Sequence, residues 1–170
     1  MRGLAIHPEA LAFVARTVQR FMPIGSVIDA GGRDVNGSPR LLFPGSTYVV
    51  IDLEDGPGVD VVADARHWRP DSPVDLVLSV EVLEHTPDPA ALLRAAWECL
   101  VPGGRLVVTC ATDPRAPHSG HDGGPLHGGE HYRNVPPEEL KGWLGDWDDV
   151  EMEVHPDRGD LYATAVRPND

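Results

Sequence analysis

The segment Val27-Ile28-Asp29-Ala30-Gly31-Gly32-Arg33-Asp34, followed by Val49-Val50-Ile51-Asp52, constrains this chain more than any other feature. Each apolar run is too short for a helix and too continuous for a half-exposed strand, so each reads as a strand buried on both faces. A glycine turn lies between them, and the second run ends on a carboxylate about 20 residues after that turn. Glycine lets the backbone approach a ligand closely, and an acid ending the second strand accepts hydrogen bonds from both hydroxyls of a ribose. This is the general grammar of a nucleotide site. Glycine after a first strand also serves turn geometry in parallel sheets that bind nothing there.

Short runs rich in β-branched residues predict strands at residues 26–30, 48–51, 59–63, 74–80 and 105–110. Ahead of them, residues 8–21 place Leu11, Val14, Val18 and Phe21 on one helical face, with Pro8 suited to the first turn. Between the fourth and fifth runs, Asp88 and Pro89 make a helix start, and Leu92, Leu93, Ala96, Cys99 and Leu100 give an apolar face. Pro102-Gly103-Gly104 is the predicted stop. A helix crossing between two buried strands implies a parallel, right-handed unit. Residues 137–144 read as a further helix. Then Val150, Met152 and Val154 alternate with polar residues before a turn at 155–160 and a strand at 161–166, which predicts a hairpin. The fold class that follows is α/β: a Rossmann-like doubly wound sheet of seven strands, mostly parallel with a C-terminal antiparallel hairpin, in one domain over 1–170. The longest irregular segment, 111–136, carries His118, His121, His127 and His131 among glycines and leaves the sheet edge where open α/β sheets bind ligands.

A chain of 170 residues is long enough to bury its own core. With 14 Lys+Arg against 27 Asp+Glu, its formal charge of -13 repels phosphate backbones, and no run of basic residues offsets this, so nucleic acid is a disfavoured partner. Cys99 and Cys110 have no spacing that suggests a metal clip or redox pair and read as buried small hydrophobes. No leader pattern opens the chain, and no apolar run approaches the roughly 20 residues that span a bilayer. The expectation is a cytoplasmic protein without a membrane segment.

Five motifs in order, Val27-Ile-Asp-Ala-Gly-Gly, Val50-Ile-Asp52, Val62-Ala-Asp64-Ala65, Asp75-Leu-Val-Leu-Ser-Val-Glu81-Val-Leu-Glu84-His85 and Leu100-Val-Pro-Gly-Gly-Arg-Leu, resemble those of class I S-adenosylmethionine-dependent methyltransferases, in particular small bacterial or phage-type members similar to methyltransferase type 11. The resemblance covers roughly residues 26–166. It implies S-adenosylmethionine as cofactor and a methyl transfer to an acceptor whose class the motifs do not define. It places Asp29, Ala30, Gly31, Gly32 and Arg33 along the methionine part of the cofactor. Asp52, with Leu53 beside it, matches the acid that holds the ribose hydroxyls. Asp64 matches the acid that reads the adenine amino group, and the Ala65 amide lies next to the ring. Ser79, Val80 and Glu81 match the edge beside the amino group and the sulfonium. The chain departs from the family pattern at Arg33-Asp34, where further glycines are usual, and Asn36-Gly37-Ser38 follows; Arg33 is then placed to pair with the methionine carboxylate.

Each residue has a plainer reading. Asp29 within an apolar strand can serve only to bond neighbouring amides. Glu84 and His85 can simply start a turn, and His85 is a candidate general base through its place at the sheet edge. His131 and Tyr132, ahead of the helix over 137–144, are candidate acceptor contacts. Trp68 can stack on the adenine or anchor a helix. The loop histidines, with Asp122, match no standard zinc spacing, so no metal is expected. The acceptor is expected to be a small molecule under a lid formed by 111–136, since the base-methylation signatures are absent after the fourth strand. A homodimer that completes the acceptor pocket, a non-catalytic cofactor-binding module and a nicotinamide-dependent oxidoreductase remain as alternatives; the last lacks its Gly-x-Gly-x-x-Gly turn.

Overall fold

A computed structural model describes residues 8–35 and 37–169, so Asn36 and both ends of the 1–170 span lie outside the described residues. A helix α1 (Pro8–Gln19) leads into strand β1 (Ser26–Ala30), a 3-10 turn (Pro39–Leu42), β2 (Thr47–Asp52) and β3 (Val61–Val62). Next come β4 (Val74–Val80), a 3-10 turn (Leu83–His85), α2 (Pro89–Cys99) and β5 (Leu100–Ala111), then α3 (Pro137–Trp143), β6 (Asp148–His155) and β7 (Asp160–Val166). The strands form one seven-stranded sheet in the order β3-β2-β1-β4-β5-β7-β6. β1 to β5 pair parallel, while β7 runs antiparallel between β5 and β6. The α/β architecture with its C-terminal hairpin is therefore the one expected.

The continuous apolar strands are explained by two cores, one on each face of the sheet. Val27, Val50, Leu76 and Leu78 pack under Phe13, Val14 and Val18 of α1. Ile28, Ile51, Val77 and Leu106 pack against Leu92, Leu93 and Leu140 on the other face. Because neighbouring strand residues point to opposite faces, a strand covered on both sides must be apolar throughout.

Three expectations need correction. The buried face of α1 is Ala10, Phe13, Val14, Thr17 and Val18, one position round from the face expected, and the helix stops at Gln19 short of Phe21. Phe21 instead takes the guanidinium of Arg105 over its ring at 3.9 Å. The third strand is two residues long, not five: Gly56 accepts the Val59 amide in a turn, and the Asp60 side chain caps the Val50 amide at 2.8 Å, so pairing starts only at Val61. Finally, Pro102-Gly103-Gly104 does not stop α2, which has already ended at Cys99. The register jumps from Val74↔Leu100 to Leu76↔Arg105, so these residues bulge out of β5. Gly103 there has φ +75°, and its amide reaches the Arg167 carbonyl at 2.9 Å.

Candidate functional site

The carboxyl ends of β1, β2 and β4 meet a cleft with two lobes, of about 250 and about 590 Å³. Gly31, Arg33, Glu81, His85 and Gly120 border both. The smaller lobe contains Asp52, Leu53, Asp64, Ala65 and His131. The larger contains Asp29, Gly32 and Val80, with Arg115 and His118 opposite. Most of the residues singled out in the sequence thus reach one cleft. Ala30 and Ser79 are buried in the sheet and border neither lobe, and Tyr132 lies behind His85. Trp68 packs on the core beneath the sheet, which is its anchoring role.

The glycine turn is closely fitted. Gly31 has φ +80°, its amide donates to the Ile51 carbonyl at 2.7 Å, and a Cβ there would come within 2.6 Å of Val82. A Cβ on Gly32 would stand 2.3 Å from the Asp29 carboxyl carbon, so only glycine lets the turn close over that side chain. Asp29 itself is 1% exposed. Its Oδ2 accepts a hydrogen bond of 2.7 Å from the Tyr48 hydroxyl, and its Oδ1 has no partner among the described residues. Burial drives its pKa up to about 6, against the lowering pull of the Tyr48 bond.

Asp52 ends β2 half-buried. One of its oxygens accepts from the Arg33 amide at 3.3 Å and the other from the Glu54 amide at 3.0 Å, which fixes the carboxylate at the rim of the smaller lobe. Asp64 is gripped by Arg66, whose Nε and Nη2 donate to Oδ2 at 3.1 and 2.7 Å. That side-chain bonding, reinforced by the Arg66 amide, holds the Asp64 carboxyl down at about 2. Glu81 follows β4 with φ 57°, a left-handed conformation held by its amide donating to the Thr109 carbonyl at 2.8 Å. Its carboxylate lies 3.7 Å from Arg115, which also pairs with the buried Asp160.

The segment 112–136 arches over both lobes. Its His121 sits between Glu54 (3.1 Å) and Glu130 (3.4 Å), while Arg33 bonds the same Glu54 at 2.8 Å. Arg33 and Glu54 are therefore joined on the wall of the smaller lobe. His118 packs edge-on against His85, with ring centroids 5.0 Å apart, and Tyr132 contacts both rings. Burial, aided by His118, lowers the His85 pKa to about 4, so its ring is neutral at pH 7. His127 pairs with Asp122 at the surface. The four loop histidines thus go to separate places. Tyr48, Glu54 and Arg115 were not legible from spacing, because each acts through a neighbour on another segment, and Arg66 grips Asp64 only because the turn after β3 folds its side chain back.

The sequence profile of the methyltransferase domain family matches residues 6–148. A ubiquinone biosynthesis O-methyltransferase of Xylella fastidiosa (strain M23) is 31% identical over 62% of this chain and 48% of its own length. The chain spans about half the length of the relatives of that species that it matches. A protein of the same name from Xanthomonas euvesicatoria pv. vesicatoria is 35% identical over 82% of this chain and 68% of its own. Among solved structures, the 1,6-didemethyltoxoflavin-N1-methyltransferase of Burkholderia thailandensis, crystallised with S-adenosylhomocysteine, superposes with a TM-score of 0.67. It shares 19% identity over 94% of this chain and 78% of that one, a likeness of fold. With the strand order, the glycine turn and the profile match in agreement, the chain belongs to the methyltransferase domain family.

Proposed function

We propose that this protein binds S-adenosylmethionine with its adenosine in the smaller lobe and its methionine part passing Gly31 to the Asp29 and Gly32 wall of the larger lobe, and passes the methyl group to a small-molecule acceptor in the rest of the larger lobe. The observation that carries the reading is the junction of the lobes at Gly31 and Glu81, with Asp52 bonded to the Arg33 amide beside the glycine turn on one side and His118 with His85 on the other. In this arrangement Asp52 takes the ribose hydroxyls, Leu53 covers the base, and Asp64 with the Ala65 amide reads the adenine edge. Asp29, Ala30, Gly31, Gly32 and Arg33 shape the methionine side, and Ser79, Val80 and Glu81 support the amino group. Held there, S-adenosylmethionine would supply an electrophilic methyl group to the acceptor's lone pair, and His85 or water would take the acceptor's proton. His131, on the wall of the smaller lobe, and Tyr132, packed behind His85, act on the acceptor indirectly, through the arch and the His85 ring. Much of the rate comes from positioning, worth on the order of 7–11 kcal/mol at best.

The same reading places the protein in the cytoplasm, in keeping with two buried free cysteines, and away from nucleic acid. Among the described residues no helix is long and apolar enough to cross a membrane. A homodimer is read out by light scattering. The direct test is calorimetry with S-adenosylhomocysteine: Asp52→Ala should weaken binding by roughly 1.5–3 kcal/mol, the range for hydrogen bonds to a charged group. An unchanged affinity in the folded variant would refute the ribose assignment, and preference for a nicotinamide cofactor would refute the methyltransferase reading. Binding without turnover across a broad acceptor screen would favour the non-catalytic module.

A further inference from the structure

Glu84 stands in the 3-10 turn after β4 and is 0% exposed, yet neither carboxylate oxygen has a partner at hydrogen-bond geometry among the described residues. Its own amide and that of Ala111 act on the carboxyl without reaching that geometry. A carboxylate taken out of water without a partner costs several kcal/mol, and a cation is one of the few groups that offsets this. Next to it in the chain is His85, and the arch brings His118 against the His85 ring. One ligand atom from each of the three lies within 4.8 Å of the others. Bonds of about 2.1 Å in a tetrahedron put ligand atoms about 3.4 Å apart, so small side-chain rotations close the set. His118 Nδ1 lies 3.2 Å from the Ala116 carbonyl oxygen. Donating there, it leaves Nε2 as the ligand atom, the outer hydrogen bond that ligating histidines generally make.

We propose that Glu84, His85 and His118 bind one divalent transition ion of the zinc class. Two imidazoles and one carboxylate favour a borderline-soft ion over magnesium or calcium. Both histidines border the larger lobe, so the fourth position of the ion opens onto the space assigned to the acceptor. An acceptor hydroxyl bound there would lose its proton to solvent more readily, because the ion stabilises the oxyanion. The linear spacing predicts no metal because the ligands come from two segments that only the fold joins.

Metal binding is read without turnover, so this inference stands or falls apart from the cofactor assignment. Tag-free protein, stripped by chelator and dialysed, is titrated with Co²⁺, followed by absorption, and with Zn²⁺, followed by calorimetry. One equivalent should bind, with the visible absorption of tetrahedral cobalt, and Zn²⁺ should displace it. His118→Ala and Glu84→Gln should each weaken zinc binding by at least roughly tenfold, as loss of a ligand does no less than loss of its outer partner. His127→Ala, at the surface, should leave it unchanged. His118→Ala decides the matter if Glu84→Gln misfolds. Binding well below one equivalent, affinity unchanged in His118→Ala, or affinity lost in His127→Ala would overturn the proposal.

Discussion

Replacing Asp29 by asparagine should remove a pH dependence that the wild-type chain carries in its core. The carboxyl is 1% exposed, and burial raises its pKa from 3.8 to about 6. The folded state therefore holds the proton more tightly than the unfolded state. Its contribution to stability is complete below about pH 4 and is lost as the pH rises through 6. The shift corresponds to about 3 kcal/mol in all, of which about half is present at pH 5 and almost none at pH 8. Asparagine keeps an oxygen for the Tyr48 hydroxyl and does not titrate. Thermal melts of both proteins at pH 5 and pH 8 check this, since carboxylates common to both cancel in the difference. The wild-type advantage should be larger at pH 5 by roughly 3–6 °C, taking 2–4 °C per kcal/mol for a chain of this size. Parallel profiles for the two proteins would refute the reasoning.

Gly32→Ala should cost about 1–3 kcal/mol by overpacking, because the new Cβ has to displace the Asp29 carboxyl beneath it; a chemical denaturation midpoint equal to wild type would contradict this. His121→Ala, which cuts the tie between the arch and Glu54, should speed release of S-adenosylhomocysteine in stopped flow. Tyr132→Phe should leave that affinity within about 0.5 kcal/mol while making the arch easier to cut in limited proteolysis, since it loses only the bond from its hydroxyl to Asn134.

The strands were legible where burial on both faces leaves little choice of residue. β1, β4 and β7 are apolar almost throughout and appear within a residue or so of their expected places. β3 was read too long because an edge strand's ends are set by turns and side-chain caps, here Gly56 and Asp60, which periodicity does not record. Pro102-Gly103-Gly104 is ambiguous for a related reason: the same residues that end helices also make bulges, and the partner that selects the bulge, Arg167, lies far along the chain. Asp29 shows the limit within the site. Parallel register sets Val27 opposite Tyr48, so the tyrosine hydroxyl reaches the carboxylate two residues further on, on the same face. That contact is a property of pairing, and one strand's sequence does not contain it.

The arch itself shows how this fold can couple its two lobes. Its ends are built into the sheet: the Thr112 amide bonds the Gly159 carbonyl at 2.8 Å, and the Val135 amide bonds the Ala111 carbonyl at the same distance. The Arg133 amide adds a bond to the Glu84 carbonyl at 2.9 Å, tying the arch to the turn after β4. Opening has to come from the middle, where Gly123 and Gly129 have positive φ and the surface pair Asp122–His127 is weakly held. The middle is also where His118 reaches His85 on one side and His121 reaches Glu54 on the other, within four residues of chain. A movement that frees one lobe therefore strains the contact over the other. On the proposed assignment, cofactor entry and acceptor entry share a single segment, and occupancy of the smaller lobe biases the order of the larger one.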